Sequence, residues 1–158
     1  KIEIFKNIKD LLVSHYLVVT LDNNNILSIY DKILFPLNFI SPTNINKVIL
    51  SGGNLWVLND NNELFKYCFF PGYEYDTIMI SLPRNDIVDF YAYYNKAFIL
   101  TKDNKLILYQ DCEETCTLDI NGKISILDTH IITIDNIVHY VHDNLPYSIH
   151  FKYKIIKL

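Results

Sequence analysis

The sequence predicts an all-β chain built from a repeated unit, and three observations carry that prediction. Only two alanines, Ala92 and Ala97, stand in 158 residues rich in Ile, Val, Tyr and Phe, side chains that lose rotamer freedom on a helix and pack well on a pleated sheet. Short apolar runs alternate with clusters of Asn and Asp, the pattern of strands joined by tight turns. One turn-bearing stretch also recurs. "VVTLDNNNILSIY" (Val18 to Tyr30), "LWVLNDNNELFKY" (Leu55 to Tyr67) and "AFILTKDNKLILY" (Ala97 to Tyr109) align without a gap, and "HIITIDNIVHY" (His130 to Tyr140) aligns with two residues removed.

Each of these stretches reads as a strand, a turn and a strand closing on Tyr. Asn and Asp recur at the turn because they tolerate positive φ and hydrogen-bond nearby backbone. The closing residues Tyr30, Tyr67, Tyr109 and Tyr140 recur at a near-regular interval, which leaves room for four short strands per unit. Ahead of each hairpin lies an inner apolar run, "IKDLLV", "KVIL", "DIVDF" and "KISIL". Ahead of that lies an outer run, "IEIF", "LNFI", "TIMISL" and "TLDI", separated from the inner one by the breaks "KN", "SPTNIN", "PRN" and "NG". A fifth outer-type run, "YSIHFKYKIIKL", follows the last hairpin and reads as a strand that pairs beside "IEIF".

A period of roughly 40 residues with four short strands is the signature of a propeller blade. "VILSGGNLWVLNDNNELFKY" resembles a repeat of the regulator of chromosome condensation family or of the tectonin family, with a small Gly-rich turn before a strand, an acidic turn and a strand ending in an aromatic. "NNNILSIYD" and "DNKLILYQD" resemble the closing strand of WD repeats, with Tyr30 and Asp31 standing where Trp-Asp would be. The chain departs from these patterns too: only the second repeat has a Gly pair (Gly52, Gly53), no repeat has Gly-His, and Asn stands for the usual turn Gly. The fold expected is all-β, with four propeller-type blade repeats in a single domain over 1–158. The repeats cover about 1–36, 37–76, 77–116 and 117–146, with a closing strand at 147–158. Such a chain forms a closed small propeller or an open arc completed by a partner.

Composition narrows the function. The chain is long enough to bury a core, and its net charge of −4, with Arg84 as the only arginine, gives no clustered cation surface for phosphates, so nucleic acid is not expected as the primary ligand. No apolar run reaches the roughly 20 residues that span a bilayer, so no membrane insertion is expected. Cys68, Cys112 and Cys116 cannot all pair, and no Asn-x-Ser/Thr sequon occurs. This composition fits an intracellular protein, cytoplasmic or nuclear.

Sites of chemistry are sparse. Cys112 and Cys116 in "DCEETC" lack the second pair a four-ligand zinc site needs. His139 and His142 are spaced to opposite faces of a strand. The turn residues Asp22, Asp60, Asp103 and Asp135 could line a rim, though turn chemistry alone accounts for them. No phosphate loop, nucleophile elbow or triad pattern appears, so no catalytic residue, metal or cofactor is assigned. The sharper feature is the link "CFFPGYEYDT" after the second hairpin, whose Phe69, Phe70, Tyr73 and Tyr75 surround a Pro-Gly turn. Large aromatics on a link are either core packing or a partner-binding surface. "FYAYY" (Phe90 to Tyr94) poses the same choice, and Tyr93 and Tyr94 join the partner-binding candidates. Trp56 is expected to pack between blades. The expected function is a non-catalytic protein-interaction scaffold, a subunit of a larger assembly or a self-associating chain. A carbohydrate-binding tectonin-like module, with Trp56 in solvent, and an enzyme with an unrecognised site are the alternatives.

Overall fold

The computed structural model describes residues 7–69, 77–82, 84–110, 113–119, 124–128, 131–134, 137–140 and 153–154. Among them no helix occurs, and the chain is all-β. The chain divides into two compact units, Lys1–Asn85 and Asp86–Leu158.

The first unit holds two antiparallel sheets. Sheet 1 is β1 (Ile8–Val13), β2 (Leu17–Asp22) and β3 (Leu27–Asp31), and sheet 2 is β4 (Ile45–Ser51), β5 (Asn54–Asn59), β6 (Leu64–Phe69) and β7 (Thr77–Ser81). The second unit holds two more. Sheet 3 is β8 (Ile87–Tyr93), β9 (Lys96–Thr101), β10 (Lys105–Gln110) and β11 (Glu113–Asp119), and sheet 4 is β12 (Ile124–Asp128), β13 (Ile131–Ile134), β14 (Ile137–Tyr140) and β15 (Tyr153–Lys154). Every sheet is a meander, each strand hydrogen-bonded to the next in sequence.

The repeat is visible in the pairing register. Ile8 opposite Asp22, Ile45 opposite Asn59 and Ile87 opposite Thr101 each precede a bulge that skips one residue, after which Asp10, Lys47 and Asp89 face Leu21, Leu58 and Leu100. These positions recur at the same spacing as the closing tyrosines Tyr30, Tyr67 and Tyr109. A bulge bends its strand and raises its twist, so the first strands of sheets 1, 2 and 3 carry the same local distortion. Val18 pairs with Tyr30, Leu55 with Tyr67, Ala97 with Tyr109 and Ile131 with Tyr140. The four tyrosines therefore occupy one register position in the third strand of each sheet.

The order of the runs differs from the sequence expectation. "TIMIS" pairs with β6, the hairpin before it, and β11 pairs likewise with β10, so an outer run completes the preceding sheet rather than opening the next. In the same way Tyr153 and Lys154 of the last run pair with Val138 and Ile137 of β14. Ile2–Phe5, beside which that run was expected, lies outside the described residues. In sheet 1 the fourth position is taken by the link itself: Pro36 bridges Tyr30, and the Leu37 N–H donates to the Ile29 carbonyl at 2.8 Å.

One turn design serves three hairpins. Asp22 Oδ1 accepts the N–H groups of Asn24 and Ile26, both at 2.8 Å, and Asn59 Oδ1 accepts those of Asn61 and Glu63 at 3.0 and 2.9 Å. Thr101 Oγ1 accepts the Lys105 N–H at 3.1 Å. The fourth loop residue is in the left-handed region each time, at φ 59° for Asn25, 61° for Asn62 and 59° for Asn104. Asn reaches that region at lower cost than most side chains. The fourth hairpin is tighter: Ile134 pairs with Ile137 across two residues, so its repeat begins at Ile131 and not at His130. The design occurs once more after β3, where Asp31 Oδ1 accepts the N–H groups of Ile33 and Phe35 and Leu34 sits at φ 65°.

The core of the first unit lies between its sheets. Leu17, Val19, Leu21, Leu27 and Ile29 of sheet 1 pack on Leu55, Val57, Tyr67 and Phe69 of sheet 2, with Val48, Leu50 and Phe65 partly buried beside them. We call this the front face of sheet 2, and the side of sheet 1 that meets it the back face of sheet 1. Sheet 2 is buried on its back face too, at Trp56, Leu58 and Leu64. Sheet 3 is buried on both faces, by Ala97, Ile99, Ile107 and Tyr109 on one and Phe98, Leu100, Leu106 and Leu108 on the other. Strands covered on both faces read as continuous apolar runs instead of alternating, which explains "LWVL" and "AFIL".

Candidate functional site

In sheets 1, 2 and 3 the turn between the first two strands lies at one end and the Asn-bearing hairpin loop between the second and third lies at the other. Polar side chains cap loop backbone at both ends, Asp22, Asn59 and Thr101 at the hairpin end and Ser14 and Asp31 at the other, and Ile26 is exposed at the hairpin end. The other end carries more of the exposed aromatic and aliphatic groups. In sheet 1 these are Val13, Tyr16, Ile33 and Phe35, all exposed, with His15 and Tyr16 edge to face at 4.7 Å. In sheet 3 they are Tyr93 and Tyr94, 49% and 50% exposed, with ring centroids 4.6 Å apart at 82°.

The turn that carries Tyr93 and Tyr94 is unusual. Tyr94 holds φ 52°, the conformation that Gly52 holds at φ 57° in the equivalent turn of sheet 2. The left-handed region costs an ordinary L-residue about 1–2 kcal/mol, so a large aromatic here is retained against a local penalty. Strain of this kind concentrates where a side chain has a job.

The other candidates fall in different places. Phe69 is 7% exposed, in the core between sheets 1 and 2, and its N–H donates to the Gly53 carbonyl at 3.2 Å. It is the last residue of β6, not the first of a loop, and its ring packs inward. Phe70, Tyr73 and Tyr75 lie outside the described residues, as do Cys112, Asp135 and His142. Cys116 and His139 are placed on β11 and β14. The turn aspartates do not form an equivalent ring: Asp22 aligns with Asn59 and Thr101, while Asp60 and Asp103 sit one and two residues further along their loops. Asp103 accepts from the Thr101 hydroxyl at 2.5 Å and pairs with Lys105 at 2.9 Å, and these contacts hold its carboxyl down at about 2. Its bonds are local to the turn. Among the described residues no group of three His, Cys, Asp or Glu could hold a metal ion.

Trp56 is fully buried, and the Lys66 ammonium lies 5.2 Å from its ring centroid. Lys66 is itself buried, so the ring face shields its charge. The aromatic that a tectonin-like sugar site would present to solvent is a core residue here.

Sequence reasoning passed over one cleft. Glu63, Ser81, Leu82, Arg84 and Asn85 line an open depression of about 340 Å³ beside the second hairpin loop, where Glu63 Oε2 also accepts from Asn59 Nδ2 at 2.7 Å. The signal for it was Arg84, the chain's single arginine, in the short break between an outer and an inner run.

No protein-family model matches the chain, and no curated protein matches it. Among the described residues no helix is long and apolar enough to cross a membrane.

Proposed function

We propose that the chain is a non-catalytic interaction scaffold of propeller type, whose blades hold apolar turns at one end for another protein. The observation that supports this reading most is the repeated register. The same bulge, the same hairpin loop and the same closing Tyr recur in sheets 1, 2 and 3. Repeat proteins of this kind keep the frame constant and vary the loops, which a rigid stack holds for binding. Here the varied positions are the turns between first and second strands: His15 and Tyr16, Gly52 and Gly53, Tyr94 and Asn95. Tyrosines in such turns bury large area on contact with few rotors to fix.

The test is a comparison of wild type with Tyr93→Ser/Tyr94→Ser in capture from the cells that make the protein. The reading expects a protein retained by wild type in stoichiometric amount and lost from the double variant, with an unchanged far-ultraviolet spectrum and melting temperature. Equal retention by both, or no retained protein at all, overturns it.

A further inference from the structure

Glu63 and Arg84 line one cleft of about 340 Å³ at the hairpin end of sheet 2, with Ser81, Leu82 and Asn85 completing its wall. The backbone behind both charged groups is fixed. The Glu63 N–H donates to Asn59 Oδ1 at 2.9 Å, and Asn59 Nδ2 donates back to Glu63 Oε2 at 2.7 Å, so the hairpin loop holds the carboxylate by one of its two oxygens. On the other side Phe65 pairs with Ser81, the Leu82 N–H continues that ladder to the Leu64 carbonyl at 3.0 Å, and the Arg84 N–H donates to the Leu82 carbonyl at 2.7 Å. Leu82 is buried, and Glu63 and Arg84 are half-buried.

We propose that this cleft binds a free α-amino acid, with its carboxylate on the Arg84 guanidinium and its ammonium on the Glu63 carboxylate. Charge is the first reason. One cation and one anion line the cleft, which complements a zwitterion, whereas the second charge of a dianion such as phosphate would meet Glu63. The second reason is shape. A guanidinium presents a planar fork that matches a carboxylate, where an ammonium offers only a point charge, and Arg84 is the chain's single arginine. Its five N–H groups allow it to serve the chain and a ligand together. Size is the third. Ligand sites run from roughly 300 to 1,000 Å³, so this cleft stands at the small end, with room for an amino acid and not for a nucleotide. The Ser81 hydroxyl and the Asn85 carboxamide both donate and accept, and so suit either end of the zwitterion. Amino-acid binding here is independent of any protein held at Tyr93 and Tyr94.

Magnetic resonance of the full chain, labelled with nitrogen-15, tests this, because a single arginine gives a single side-chain Nε–H signal. On titration with L-leucine and with L-glutamine, that signal and the Ser81 and Asn85 amide signals should move together and saturate in the millimolar range or below. Leucinamide, which lacks the carboxylate, and 4-methylvalerate, which lacks the ammonium, should each bind at least about tenfold more weakly than L-leucine, since each leaves one charge of the cleft unmet. Arg84→Lys should weaken L-leucine at least about tenfold by losing the fork. Glu63→Gln, which keeps an oxygen for Asn59, should remove the preference for L-leucine over 4-methylvalerate. The amide spectra of both variants should match wild type away from the cleft. Signals that stay still with both amino acids overturn the proposal, as does leucinamide or 4-methylvalerate binding as tightly as L-leucine to wild type. Inorganic phosphate binding more tightly than either amino acid also overturns it, by making the cleft a general anion site.

Discussion

The hydroxyl of Tyr67 donates a 2.8 Å hydrogen bond to the carbonyl of Ile40, 27 residues earlier in the chain. Phe39 stands edge to face with the same ring at 5.6 Å. Tyr67 thus fastens the link between sheets 1 and 2 against the front face of sheet 2. The register fixes the Tyr67 ring on the front face of sheet 2, and the link between the sheets meets its hydroxyl.

Tyr67→Phe keeps the ring and removes the bond, and it should lower stability by about 1 kcal/mol, the usual net worth of such a bond. Urea unfolding reads this as a lower midpoint at an unchanged slope. Burial also pushes the Tyr67 phenol up to about 12 from 10.0. A folded-state value above the unfolded one means the neutral form is favoured by folding. That stability is complete below pH 10 and is lost as pH rises through about 12. Wild type should therefore weaken over this window more than Tyr67→Phe does, and equal alkaline slopes for the two would refute the assignment.

At the hairpins, Asn25→Ala, Asn62→Ala and Asn104→Ala should each cost about 1 kcal/mol, because alanine pays the left-handed penalty without compensation. The corresponding glycine variants should cost less than the alanine ones. Thermal unfolding of the six variants is sufficient. Any hairpin in which Ala and Gly behave alike does not rely on its φ.

Phe69→Ser should destabilise by about 3–5 kcal/mol, the range for emptying a buried aromatic site, and should act through the fold. Its effect on a partner should follow the fraction folded. A variant that melts like wild type but loses binding would return Phe69 to the surface.

The repeat, the hairpins and their Asn turns were legible in the sequence because each is local: a strand alternates, and a turn needs a residue that tolerates positive φ. What the sequence left open was non-local. "TIMIS" carries no mark of which hairpin it joins, since an edge strand is satisfied by either neighbour. Phe69 and Tyr93 look alike in the sequence, as aromatics near strand ends, yet one faces sheet 1 and the other faces solvent. Their pairing partners decide it: Phe69 extends the front-face series of Leu55, Val57 and Tyr67, while Tyr93 pairs with Lys96 at the very end of β8. Asp60 and Asp103 looked equivalent to Asp22 by residue type, but the turn depends on loop position, which Asn59 and Thr101 fill.

Tyr94→Gly separates local strain from use. Relieving the left-handed penalty of about 1–2 kcal/mol is partly offset by the greater entropy that glycine gives the unfolded chain, roughly 0.5–1 kcal/mol, and by the lost ring contact with Tyr93. The variant should therefore match wild type in stability within about 1 kcal/mol, as the Gly52 turn of sheet 2 suggests. If Tyr94 is kept to meet a partner, the same change should weaken partner retention at least about tenfold, because an aromatic at the centre of a contact carries a large share of its energy. Calorimetric melting and quantitative capture on one preparation give both numbers. A clear loss of stability with unchanged capture would mean that the ring supports its own turn and that the partner, if it docks on this end of sheet 3, does so without Tyr94.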